Sequence, residues 1–254
     1  MSTTYDKLNA VGRSLVYQIA ITCVTVGMGI ACLPLLLLKH PTLKYAIPYR
    51  WTSIALWLQR YILHLTYDVR SHAPLASGGV IYAVKHQSAW ETMALWHILD
   101  RPVFVLKKEL LSIPVFGWYL AHADNIVIDR SAGKQAVAQI IDQSMKYMMQ
   151  GRNIVMFPEG TRTRAGAEVK YKNGIGAVYE AISPTIHPVA LNSGCFWGRN
   201  RFIRRAGVIE LEILPSVTKN LSKSDFMQAL HTQIETATAR LVATPKYRET
   251  CDSY

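Results

Sequence analysis

From Leu15 to Leu38 the chain reads LVYQIAITCVTVGMGIACLPLLLL, without one charged residue. At about 1.5 Å per helical residue, such a run reaches past a hydrocarbon core of roughly 30 Å. It is too long for the apolar part of a cleaved signal peptide, and no small-x-small cleavage site follows it. It is therefore expected to be a retained membrane helix; a buried core helix fits this length poorly. A second apolar stretch, Trp51–Tyr67 (WTSIALWLQRYILHLTY), carries Arg60 and His64 and suits a helix lying at the interface. Lys7 and Arg13 precede the first run, and Lys39, Lys44 and Arg50 lie between the two. Positive charge on both sides gives no orientation, so a single span and a hairpin dipping into one leaflet both stand.

The remainder must supply a catalytic or binding body. The 254 residues are half hydrophobic with a formal net charge of +11. Such a balance attracts nucleic acid, anionic headgroups or phosphorylated substrates. The apolar runs favour lipid, and no nucleic-acid-binding motif is present, which argues against a basic nucleic-acid or scaffold protein. Cysteines stand at 23, 32, 195 and 251 with no CxxC pair and no zinc spacing. No disulfide framework is expected, and a reducing compartment is the default. HExxH is absent and no acidic cluster reads as a magnesium site, so no metal is implied.

Past residue 70 the pattern changes. Short β-rich runs at Val80–Val84, Pro102–Leu106, Asn125–Asp129, Asn153–Phe157, Ile186–Leu191 and Val208–Leu214 alternate with helical stretches. The helices are expected at Ala89–Leu99, Glu109–His122, Ala132–Gln150 (stopped by Gly151) and Lys223–Leu241. This alternation predicts an α/β fold with a mostly parallel sheet flanked by helices, over residues 71–254. Residues 1–70 form an N-terminal membrane-associated helical segment in this reading.

Four stretches at or near strand ends carry chemistry, where open α/β sheets bind ligands. In Lys85-His86-Gln87-Ser88-Ala89-Trp90-Glu91, a carboxylate five residues after a histidine can hold its Nδ1 proton and free Nε2 to act as a base. That contact requires His86 to precede a helix and Glu91 to lie in its first turn. Ser88-x-x-Glu91 also reads as a capping box, and the sequence leaves both roles open. Lys107 and Lys108 follow a strand and suit a phosphate or a solvated face. In Phe157-Pro158-Glu159-Gly160-Thr161-Arg162 a tight loop presents a carboxylate and a guanidinium, and the guanidinium fork suits phosphate. Ile186–Asn192 reads as a hydrophobic strand, either lining an acyl or thioester site or packing in the core. The basic stretch Arg199–Arg205 is expected to face anionic headgroups.

Taken in order, the HxxxxD-like block, KKELLSIPVFGW, FPEGTR and the strand with an internal proline resemble the 1-acylglycerol-3-phosphate acyltransferases of the glycerolipid acyltransferase superfamily. The resemblance covers roughly residues 70–220, and Tyr171-Lys172-Asn173-Gly174 is similar to that family's K-x-G segment. The departure is Glu91, where the family usually has aspartate.

The resemblance implies transfer of an acyl group from a thioester to the sn-2 hydroxyl of lysophosphatidic acid, giving phosphatidic acid. It implies His86 as general base with Glu91 as its orienting partner. It places Arg162 and Lys107, with Lys108 a substitute, at the acceptor phosphate. Glu159 would brace the Arg162 loop or bond a glycerol hydroxyl, with Gly160 and Thr161 in the same substrate-binding loop. No G-x-S-x-G elbow or cysteine nucleophile is present, so direct transfer without an acyl-enzyme is expected. No cofactor is implied beyond the acyl donor, acyl-CoA or acyl carrier protein. The expected partners are substrate and membrane lipids. The expected place is a bacterial inner membrane, with the site on the cytoplasmic side where thioesters are supplied. Hydrolysis or acylation of another lysolipid in membrane remodelling is the alternative.

Overall fold

The computed structural model describes residues 4–38, 43–72, 78–167 and 169–244. The chain opens with α1 (Thr4–Ala31), a 3₁₀ segment (Leu33–Leu38) and α2 (Leu43–Leu58), which runs into one π turn (Gln59–Leu63). There follow β1 (Leu65–Ser71), β2 (Ile81–Val84), α3 (Trp90–Ile98), β3 (Val103–Lys107), α4 (Phe116–His122), β4 (Ile126–Ile128) and α5 (Lys134–Met149). The chain continues through β5 (Ile154–Met156), α6 (Asn173–Ile182), β6 (Ile186–Leu191), β7 (Gly207–Ile213) and α7 (Lys223–Ala243).

The seven strands form one sheet in the order β1-β7-β6-β2-β5-β3-β4. Strands β2 to β6 are parallel neighbours, whereas β7 runs antiparallel to β6 and carries β1 parallel beside it. All five C-terminal ends of β2–β6 therefore meet on one edge. The mostly parallel α/β expectation holds.

Alternation along the strands divides the core into two layers. Tyr82, Val84, Phe104 and Val155 face Tyr17 of α1, Ala55 of α2 and Trp90, Met93, Ala94 and Leu95 of α3. Ile81, Ala83, Val103 and Ile154 face Ala136 and Ile140 of α5, Ile175 and Val178 of α6, and Phe226, Leu230 and Ile234 of α7. The N-terminal helices thus close one side of the same core.

Within α1, Asp6–Ala31 is long and apolar enough to cross a membrane, and only 17% of its most apolar window is buried in the protein. Ile19, Val26 and Ile30 stand exposed. The foot of the helix is held otherwise. Ser14 Oγ accepts the Arg204 N–H at 2.8 Å, and the Arg204 guanidinium lies over the Tyr17 and Trp197 rings, 5.0 and 4.4 Å from their centroids. Arg204 is therefore buried against α1, which departs from the expectation that it faces headgroups, whereas Arg199 and Arg201 of the same stretch are exposed.

Three local expectations change. The helix expected over Trp51–Tyr67 begins earlier, at Leu43, and ends before Leu65. His64 turns left-handed at φ 53°, and Gln59 Nε2 ties back to the Leu65 carbonyl at 2.9 Å. Leu65 to Ser71 then pairs in register with Gly207 to Ile213, so the sheet starts before residue 71. The helix expected over Glu109–His122 splits into a 3₁₀ turn, Lys108–Ser112, and α4. Pro114 lacks an N–H, and Val115 sits at φ 64°, ψ −62° in a tight γ-turn closed by Phe116 N–H to the Pro114 carbonyl at 2.7 Å. Finally, Cys23 and Cys32 are free while Cys195 is disulfide-bonded, a bridge that cysteine spacing read as giving no disulfide framework did not announce.

Candidate active site

The ladder of β2 extends one residue past its end, where the Lys85 N–H meets the Val189 carbonyl at 2.9 Å, and His86 follows. Ser88 Oγ accepts the Trp90 N–H at 2.9 Å, which starts α3 and puts Glu91 in its first turn. Glu91 Oε1 lies 3.0 Å from His86 Nδ1, so the five-residue spacing produces the contact it requires. The capping role is real too. The same Oε1 accepts the Gln87 and Ser88 N–H groups, both at 2.7 Å, and Oε2 accepts Ser88 Oγ at 2.6 Å and Ser193 Oγ at 3.0 Å. Burial alone would raise the pKa of this fully buried carboxyl. The His86 and Ser88 hydrogen bonds outweigh burial and hold it below its ordinary value, as a carboxylate.

His86 is gripped on every other side. Its N–H donates to Glu159 Oε1 at 3.0 Å, its carbonyl accepts the Thr163 N–H at 2.8 Å, and its ring stacks on Phe157 with centroids 3.9 Å apart. A carboxylate at Nδ1 favours the tautomer of the neutral ring that carries its proton on that nitrogen, and His86 lines the cavity.

The FPEGTR loop follows β5 on the same edge. Glu159 is buried, and its carboxylate accepts from Thr163 Oγ1 and from His86 N–H with Lys85 Nζ 3.4 Å away. Burial raises its pKa, and Lys85 opposes the rise. Its contacts brace the loop and leave it off the cavity wall. Gly160 turns at φ 70°, where a Cβ would meet Lys172 Cγ at 3.1 Å and the Arg130 guanidinium at 3.6 Å. The positive φ favours glycine here, and its missing Cβ leaves room for the loop after β4 to pack closely on the loop after β5. Thr161 points outward, whereas Arg162 reaches the wall.

The wall encloses a cavity of about 680 Å³ between the N-terminal helices and the catalytic edge. Along with His86 it is lined by Lys107, Arg130, Arg162 and Lys172, with no carboxylate among the described lining residues. Elsewhere it is apolar, through Met28 and Gly29 of α1, Trp51 of α2, Met93 and Trp96 of α3, and Val115, Phe116 and Leu120 around α4. Such a space accepts an anionic head and an aliphatic tail.

Of the expected site residues, His86, Lys107, Gly160 and Arg162 line this cavity, and Glu91 and Glu159 support His86 from behind. Lys108 turns outward to Asp129 at 3.4 Å. Ile186–Leu191 is wholly buried and is not part of this cavity's wall, which favours its core reading. Arg130 went unseen in the sequence, although an arginine directly after a β-rich run, in NIVIDR, carries the same positional signal as Lys107.

The Acyltransferase family model matches residues 66–192, half of the chain. The chain is 34% identical to the 1-acyl-sn-glycerol-3-phosphate acyltransferase of Pseudomonas aeruginosa, over 70% of this chain and 71% of that protein. It is also 26% identical to the lyso-ornithine lipid O-acyltransferase of the same species, over 66% of this chain and 64% of that protein. The crystal structure of the 1-acyl-sn-glycerophosphate acyltransferase PlsC from Thermotoga maritima shares the fold, with a TM-score of 0.72 at 18% identity, covering 94% of this chain and 98% of that one. With the catalytic edge built as described, the chain belongs to the acyltransferase family, among the 1-acylglycerol-3-phosphate acyltransferases.

Proposed function

We propose that this enzyme moves a fatty acyl group from an acyl thioester to the sn-2 hydroxyl of 1-acyl-sn-glycerol-3-phosphate, forming phosphatidic acid. The observation that carries the reading is the His86–Glu91 pair at the junction of a cationic head site and an apolar cavity. An aliphatic hydroxyl hardly ionises at neutral pH, so its proton must leave as the oxygen attacks. His86 Nε2 takes that proton while Glu91 steadies the imidazolium through Nδ1–H. The new C–O bond forms, the tetrahedral intermediate collapses, the C–S bond breaks, and Nε2 returns the proton to the departing sulfur. The free thiol and the diacyl product leave with His86 restored, and no acyl-enzyme is formed.

Arg130, Arg162, Lys107 and Lys172 hold the acceptor phosphate, and the apolar cavity takes an acyl chain. Acyl-CoA or acyl carrier protein supplies the thioester. The exposed apolar length of α1 holds the enzyme to a membrane, with its site facing the compartment that supplies thioesters, the cytoplasmic side of a bacterial inner membrane.

A second reading, acylation of another lysolipid, is favoured by the likeness to the lyso-ornithine lipid O-acyltransferase. Four cations at the head site favour a phosphate-bearing acceptor over it. The test is transfer from a radiolabelled acyl thioester in detergent, with lysophosphatidic acid and a phosphate-free lysolipid offered in competition. Preference for the phosphate-free acceptor would overturn the reading.

A further inference from the structure

Beneath the catalytic edge lies a second set of ionisable groups that the reaction does not consume. Lys85, the residue before His86, is 1% exposed. Its Nζ donates to both oxygens of Glu235 on α7, at 2.8 and 2.9 Å, and lies 3.4 Å from Glu159 Oε1. Tyr171 O–H donates to Glu235 Oε1 at 2.6 Å. Helix α7 lies outside the segment matched by the family model, yet reaches the core of the site.

The distances rank the contacts. Lys85 is bonded tightly to Glu235 and loosely to Glu159, so Glu235 sets how far the ammonium can approach Glu159. That matters because Glu159 Oε1 is also the acceptor of the His86 N–H. We propose that Glu235 is a positioning residue for His86, acting through Lys85 and Glu159. It anchors the ammonium by two short bonds at 3.4 Å from Glu159 Oε1, which leaves that oxygen to the shorter His86 N–H bond. A buried ion cluster is a poor way to gain stability compared with apolar packing, which favours a geometric role. The inference rests on the reading of His86 as the base.

The experiment compares wild type, Glu235→Gln, Lys85→Met and the double variant as full-length protein in detergent. Thermal melting, kcat, KM for lysophosphatidic acid and deuterium exchange of the peptide spanning residues 85–91 are measured for each. If Glu235 acts through Lys85, Glu235→Gln lowers kcat about tenfold with KM within about twofold, and the double variant is no slower than Lys85→Met. Exchange across 85–91 then speeds up in Glu235→Gln by more than in the rest of the chain, beyond what any fall in melting temperature from unpairing a buried ammonium accounts for. Unchanged kcat, additive losses in the double variant, or unchanged exchange across 85–91 each overturn the proposal. Should wild type fail to acylate lysophosphatidic acid, the reaction assignment fails, and the exchange comparison still decides whether Glu235 positions His86.

Discussion

One oxygen of Glu91 serves two purposes: Oε1 lies 3.0 Å from His86 Nδ1 and accepts the Gln87 and Ser88 N–H groups that open α3. His86, the proposed base, and the helix that carries Glu91 are thereby fixed by the same atom. The extra methylene of glutamate is accommodated because the carboxylate bends back over the first turn, where Ser88 and Ser193 satisfy its second oxygen.

Removing the base and removing its partner should consequently differ. His86→Ala should lower kcat by about 10²–10⁴-fold, the usual worth of general base help, with little change in melting temperature. Glu91→Gln should lower kcat comparably and also destabilise, because its amide nitrogen must face a donor now bonded to carboxylate oxygen. Parallel kinetics and thermal melts check this. A Glu91→Gln variant that melts lower yet turns over like wild type would show Glu91 to be a helix cap alone.

Acidification offers an independent check on Glu91. Its folded pKa is depressed below the ordinary 4.5, so it contributes stability that is fully present above that value and is lost as pH falls through the folded pKa. The melting-temperature gap between wild type and Glu91→Gln should narrow below about pH 4.5. Glu159 has the opposite sign. Its folded pKa is raised, so its contribution worsens as pH climbs from the ordinary 4.5 through the folded value.

The four cations divide the head site from the base. Arg130→Ala and Arg162→Ala should each raise KM for lysophosphatidic acid about 10–100-fold, the range of a lost hydrogen bond to a charged group. Neither should slow transfer to a phosphate-free acceptor. Initial rates over both acceptor series decide it, and equal losses on both would remove the phosphate from these two residues.

Gly29 of α1 faces Val115 across the apolar end of the cavity, and a Cβ at Gly29 would collide with the Val115 side chain. Val115 sits at a positive φ costly for a β-branched residue, so it has little freedom to yield. Gly29→Ala should therefore lower the rate with long acyl chains several-fold more than with short ones. Competition among thioesters of graded length tests it, and a uniform loss would place the acyl chain elsewhere.

The sequence and the structure agree where the information is local. His86 and Glu91 are five residues apart, so a strand end followed by a helix start decides their contact. Strands β2 to β7 are apolar runs bounded by turns and could be read directly. β1 could not, because WTSIALWLQRYILHLTY continues its apolar pattern through the left-handed His64, and only pairing with β7 shows where helix gives way to strand. Arg130 joins Arg162 through the side-by-side ends of β4, β3 and β5, an alignment that strand order alone creates. Lys85 and Glu235 are 150 residues apart, and nothing in either neighbourhood announces the other.

The placement of β1 also bears on how the molecule is made. β1 follows the N-terminal helices directly, yet its sole partner among the described strands is β7, with Leu65 opposite Gly207 and Ser71 opposite Ile213. During synthesis the apolar helix and β1 emerge before β7, and β1 must wait with an open edge until β7 has been made. An unpaired edge invites association with other chains. If α1 docks in lipid early, as the proposed membrane attachment requires, nascent chains are kept apart through that interval, and the same helix would serve the unfinished enzyme as well as the finished one.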